Sequence, residues 1–155
     1  GSPTRPQMQS TRNDPMDAAD TLRHLTSLEE PDQLRALASV VQRLRDRLVG
    51  RRFMGAKFGV LERFPWADGH GLFWGILHAL ERLDGYELSL VESVRRSPGE
   101  FNLLMVQRLR NAGRTAAGGT DLRALLVECA HHASCEQART AARNYLHHQH
   151  GGADR

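Results

Sequence analysis

The sequence predicts an all-α protein, about seven antiparallel helices arranged as a HEAT-like α-solenoid or an irregular bundle. Three observations predict it. Apolar residues recur at three- and four-residue spacing along most of the chain. The breaks between these stretches carry helix start and stop residues. No stretch alternates apolar and polar residues between hairpin turns, so no strand is expected.

Taken in order, residues 1–13 are polar, contain Pro and lack periodicity, which predicts a disordered lead-in; Gly1-Ser2 resembles a tag-cleavage remnant. Asp14-Pro15 reads as an N-cap followed by Pro at the first helical position. Leu22, Leu25 and Leu28 carry that helix to Glu29-Glu30. Pro31 opens a second helix with Leu34, Leu37, Ala38, Val41, Leu44 and Leu48 on one stripe and Gly50 at its end. From Arg51 to Gly71 the pattern breaks: Phe53, Met54, Phe58, Phe64 and Trp66 stand among Gly55, Gly59, Pro65 and Gly69, with a short helical turn expected only over 60–64. Asp68 is placed to cap a helix carrying Leu72, Phe73, Ile76, Leu77, Leu80 and Leu83, with Gly85 at the left-handed position beyond it.

Tyr86 to Arg96 forms a shorter helix through Leu90, Val91 and Val94. Ser97-Pro98-Gly99-Glu100 predicts an N-cap Ser, Pro at the first position and a Glu closing a capping box. Phe101, Leu104, Met105 and Leu109 follow, and Gly113 ends that helix. Residues 114–119 read as a loop. Thr120 caps a helix with Leu122, Leu125, Leu126 and Cys129, and Ser134 with Gln137 repeats the capping box for a last helix through Ala138, Ala142, Tyr145 and Leu146. Residues 14–149 thus make one helical domain, and 150–155 a flexible tail.

Composition narrows the function classes. The chain has 155 residues, 40% hydrophobic and 25% charged, which suits a single soluble domain. No apolar run reaches the roughly 18 residues a membrane span needs, and the first twenty residues hold no apolar h-region, so no secretory signal is expected. Net charge is +3, with Arg far outnumbering Lys. The cations alternate with acids along the helices, which marks solvated faces rather than a phosphate track; the densest cluster, Arg43 to Arg52, is the one candidate for nucleic acid. Two cysteines, Cys129 and Cys135, make no disulfide framework and fit a reducing cytoplasm.

Sites for chemistry are sparse. The phosphate-loop, zinc-protease, nucleophile-elbow and dinucleotide patterns are all absent. Cys129-Ala-His-His-Ala-Ser-Cys135 is the most metal-like string, but its pairs project differently and four convergent ligands are not apparent, so no metal and no cofactor is expected. On the helix after Asp68, His70, Trp74 and Glu81 fall within about 40° of one another, with His78 beside them. A His and a carboxylate suggest acid–base work, yet no nucleophile accompanies them. Glu81 lies in a last turn, where its charge opposes the helix dipole and calls for a partner. Arg108 and Asn111 are the expected partners in a structural polar tie.

The succession Trp66-Ala-Asp68-Gly-His70, Phe73-Trp74, Leu77-His78 and Glu81, then Ser97-Pro98, Arg108 and Asn111, resembles the helical immunity proteins of bacterial contact-dependent and polymorphic toxin systems. The resemblance spans about residues 65–112 and carries over no catalytic residue. It implies a cytoplasmic, non-enzymatic protein that occupies the active site of a cognate toxin domain or a surface close by, with no small-molecule substrate. Immunity proteins against nucleases are often acidic, whereas this chain is basic, which points toward a less basic toxin. Phe53, Phe58, Phe64, Trp66, His70, Arg51 and Arg52 supply the residue types that populate binding hot spots and are the expected contact residues. The competing reading of the same aromatics is that they fold inward. Beside the immunity reading stand a HEAT-like scaffold or adaptor, a nucleic-acid module using Arg43 to Arg52, and an enzyme using His70, His78 and Glu81.

Overall fold

The computed structural model describes residues 15–43 and 53–148. Eight α-helices account for most of them: α1 Pro15–Arg23, α2 Pro31–Arg43, α3 Met54–Arg63, α4 Leu72–Glu81, α5 Tyr86–Arg96, α6 Glu100–Asn111, α7 Leu122–His132 and α8 Glu136–His147. A 3₁₀ turn, Gly69–Gly71, precedes α4. A two-residue antiparallel hairpin, β1 Ala116–Ala117 and β2 Thr120–Asp121, joins α6 to α7 where a plain loop is expected from sequence. Asp14, Leu44, Leu48, Gly50, Arg51 and Arg52 lie outside the described residues, as does most of the Arg43 to Arg52 cluster.

Helix packing follows two rows. The α1–α3 and α3–α5 contacts make one, and α2–α4, α4–α6 and α6–α8 the other; α1–α2, α3–α4, α5–α6 and α7–α8 join them. The core between them is built from Leu22, Leu37, Phe58, Phe73, Ile76, Leu77, Leu80, Leu90, Leu103 and Met105, each at most 1% exposed. Phe73 and Phe101 meet edge to face with ring centroids 5.6 Å apart, a geometry worth about 1 kcal/mol beyond the area it buries.

α3 is the largest departure from the sequence reading. Gly55 and Gly59 each weaken a helix by about 1 kcal/mol relative to Ala, which is why only a short turn is expected there. Both, however, face open space. Phe53, Phe58, Val60 and Leu61 are buried on the other side, and burying one such side chain stabilises by about 1.5–3 kcal/mol. Tertiary burial outweighs the two glycines. Arg63, at the end of α3, donates to the carbonyl oxygens of Leu22 and Arg23 and so closes the C-terminus of α1.

Three helix starts are shifted from the predicted caps. α6 begins at Glu100 rather than after Ser97. Asn102 Oδ1, not Glu100, accepts from the Gly99 N–H at 2.8 Å. Asn102 Nδ2 then donates to Ser93 Oγ at 3.0 Å and to Ser97 O at 3.1 Å, and Ser97 Oγ donates to Glu62 O at 3.1 Å. Asn102 and Ser93 are buried at 1% and 0% exposure, and this network satisfies them. Gly99 lies against Pro65: a Cβ there would stand 2.7 Å from the Pro65 carbonyl oxygen, and the Glu100 N–H donates to that oxygen at 2.6 Å. Further along, Asp121 and not Thr120 caps α7, accepting from the Ala124 N–H at 2.9 Å. Cys135 takes the N-cap position of α8 without a side-chain bond, in place of Ser134.

Gly85 has the left-handed φ of +81° expected of it, but it stands as the N-cap of α5, since α4 has already ended at its C-cap Arg82. The stop that matches the sequence is Gly113, with φ +92° just past α6. There the Gly113 N–H reaches Arg110 O and the Arg114 N–H reaches Leu109 O, the paired bonds of a Schellman ending.

Candidate functional site

α4 presents the most exposed aromatic surface among the described residues. Phe73, Ile76, Leu77 and Leu80 turn inward, while Trp74, one residue on from Phe73, remains 44% exposed. Its ring stands edge-on to Phe101 at 5.4 Å and tilted against the exposed His78 at 6.0 Å. Phe101 is buried at 4% exposure, so the indole rests on a fixed base. No described residue hydrogen-bonds its indole N–H.

The turn leading into this helix is strained. Gly69, His70 and Gly71 take φ of +63°, +53° and +84° in succession. For the two glycines this is inexpensive, but a left-handed non-glycine costs about 1 kcal/mol. Asp68 Oδ1 accepts from the His70 N–H at 2.8 Å and holds the turn, capping the 3₁₀ turn rather than α4 itself. Gly69 is packed so closely under Phe73 that a Cβ would lie 2.4 Å from its ring. The His70 ring is thereby held out in solvent, two residues before α4 begins.

Glu81 closes the helix. Arg108 donates through Nε to Glu81 Oε2 at 2.7 Å and through Nη2 to Glu81 Oε1 at 2.8 Å, a two-pronged bond between α6 and α4. That bond raises the Arg108 pKa. Asn111 does not join it: its Oδ1 accepts instead from Gln107 at 3.4 Å. Glu81, Arg108 and Asn111 line one shallow depression with Tyr86, whose hydroxyl is pushed up to about 12, chiefly by burial and then by Glu81 and Glu87.

The expected contact residues are separated by the fold. Phe53 and Phe58 are core residues at 5% and 1% exposure, a correction to their assignment as contacts: in this conformation they offer no surface. They fill the spacing that α3 needs to bury. Phe64 and Trp66 are half-buried against that core, and of the expected contacts among the described residues only His70 is well exposed. Of the group His70, His78 and Glu81, Glu81 has both carboxylate oxygens bonded to Arg108 and His78 lies against Trp74. In the cysteine–histidine string, Cys129 turns inward toward Ala138 O at 3.7 Å and burial pushes its thiol up to about 11, which makes it a poor nucleophile. His131 donates through Nδ1 to Val127 O at 3.0 Å. Among the described residues no three His, Cys, Asp or Glu side chains converge on a metal position, and no helix is long and apolar enough to cross a membrane.

Sequence reasoning missed one residue altogether. Lys57 is the chain's only lysine beside twenty arginines. It is completely buried in α3, and its Nζ has no hydrogen-bond partner. Burial first, and the charge of Arg82 second, lower its pKa to about 8. The signal was present, since Lys57 stands four residues after Phe53 and four before Leu61, on the inward stripe.

The chain is therefore a helical protein with an exposed aromatic and imidazole face on α4. Compared with protein-family models, curated proteins and solved structures, it matches none.

Proposed function

We propose that this chain is a non-enzymatic protein-binding module that neutralises a cognate bacterial toxin domain, with the face around Trp74 as its contact surface. Trp74 carries the proposal. A large aromatic that is 44% exposed on a buried phenyl base is the residue type and setting of a binding hot spot. His70 on its strained turn and His78 beside the indole add polar groups at the rim, and strain of this kind gathers where a ligand is met. Every α-helix from α1 to α6, together with α8, packs against a second neighbour, a pattern in keeping with a HEAT-like stack. In this reading the protein acts in the cytoplasm, needs no cofactor and turns over no small-molecule substrate. It is the mode of action expected of an immunity protein in a contact-dependent or polymorphic toxin system.

The test is co-expression with the product of the adjacent upstream gene, followed by co-purification and a growth assay. A one-to-one complex that protects cells supports the reading. Trp74→Ala is expected to weaken that complex by about thirtyfold, in line with a hot spot of about 2 kcal/mol. Co-expression without complex or protection overturns it.

A further inference from the structure

At the end of the molecule away from the α4 turn, the α6–α7 connection brings three arginines around one concavity. Arg110 comes from the last turn of α6, Arg114 from the Schellman ending, and Arg123 from the first turn of α7; Thr115, Asp121 and the Gly113 backbone complete the wall. The left-handed Gly113, the hairpin, and the Leu122 N–H bond to Thr115 O at 2.9 Å fix this connection.

The charges there are poorly balanced. Arg114 reaches Glu87 through one bond of 3.2 Å and keeps 47% of its side chain exposed. Arg110 Nη1 donates to the neutral Gln107 Oε1 at 2.9 Å. Arg123 has no ion pair among the described residues. It also sits at the second position of α7, where a cation opposes the helix dipole. The one carboxylate in the wall, Asp121, is bonded to the Ala124 N–H as the helix cap. Burial and the nearby Arg123 charge lower the Arg110 pKa, with Asp121 opposing them in part. Arg110 and Arg123 thus repel each other, and the wall sets one carboxylate against three guanidinium groups, with Glu87 pairing Arg114 from outside it.

We propose that this concavity is a binding site for a phosphate group, held by the guanidinium groups of Arg110, Arg114 and Arg123. A carboxylate is planar and engages one guanidinium fork well, whereas a tetrahedral phosphate dianion presents oxygens in three directions and suits cations from three sides. It would also sit in front of the first turn of α7, where negative charge is favoured. The site is independent of the Trp74 face, so either assignment stands or falls alone.

The experiment titrates the full chain with inorganic phosphate, and separately with phosphoserine, against sodium chloride at matched ionic strength. The readouts are arginine side-chain NMR signals and the melting temperature. Expected are saturable shifts at Arg110, Arg114 and Arg123 and a rise in Tm that chloride does not produce; the tighter of the two ligands tells free phosphate from an organic phosphomonoester. Arg123→Gln, at an exposed position, is expected to weaken binding about tenfold, as loss of one charged hydrogen-bonding group worth about 1.4 kcal/mol requires. It should also melt slightly higher than the parent in chloride, because the repulsion is relieved. Arg110→Gln should give the same loss of binding. Shifts that follow ionic strength alone, phosphate binding unchanged in both variants, or saturation by an acidic peptide but not by phosphate would each overturn the assignment.

Discussion

Replacing Lys57 by methionine removes the buried amine while keeping the length of the side chain. The lysine pKa falls from 10.5 to about 8 in the fold. At about 1.36 kcal/mol per pKa unit, the folded state disfavours the charged amine by about 3 kcal/mol. The unfolded chain binds that proton up to pH 10.5, the folded chain only up to about 8. Stability from this group is therefore lost as pH falls through 8, and regained as pH rises toward 10.5. Lys57→Met escapes the penalty and fills the same space with an apolar side chain, so at pH 7 it should be more stable by about 2–3 kcal/mol. Urea unfolding of both proteins at pH 7, 8, 9 and 10 measures the difference. The gap should narrow steadily above pH 8. Cys129 and Tyr86, pushed up to about 11 and about 12, lower stability as their unfolded counterparts ionise, but they do so equally in both proteins and cancel. A gap that does not change with pH, or a methionine variant less stable than the parent at pH 7, would refute the reasoning.

Other substitutions address the packing and the α4 face. Gly99→Ala drives a methyl to 2.7 Å from the Pro65 carbonyl oxygen, so a loss of about 1–3 kcal/mol is expected in chemical denaturation, comparable to overpacking a core. His70→Gly relieves the left-handed strain and should raise stability by about 1 kcal/mol while weakening partner binding in a calorimetric titration. Arg108→Ala breaks a half-exposed tie between α6 and α4, and a Tm shift equivalent to about 0.5–1 kcal/mol is expected. Trp74→Ala gives up the covered half of the indole and its edge-to-face contact with Phe101, so a loss of about 1 kcal/mol or more is expected in urea unfolding, while the far-UV circular dichroism should stay close to that of the parent.

Much of the helical layout was legible because periodicity and stop residues act locally. Pro31, Gly85 and Gly113 mark boundaries through backbone sterics, which no distant contact alters. The caps were less legible. Ser97 and Thr120 have the right chemistry, but Asn102, the Pro65 carbonyl and Asp121 take N–H groups at the starts of α6 and α7, and only the three-dimensional path decides. α3 was hidden because glycine propensity is local while burial of Phe58 and Leu61 is not. The partner for Glu81 could be anticipated from the helix dipole, a local rule, whereas Asn111 was drawn away by Gln107. Exposure of Trp74 beside buried Phe73 depends on where α6 places Phe101, and adjacent residues on a helix give no such information.

The single lysine has a practical consequence. Reagents that acylate amines, and proteases that cut only after lysine, find one internal target in the whole chain, and it lies sealed beneath α3. Modification or cleavage there requires α3 to lift from its bed. The rate of that reaction in native buffer therefore clocks the opening of this helix, separately from fraying elsewhere. A bound partner that clamps α3 would slow the clock, and one that pries it loose would speed it.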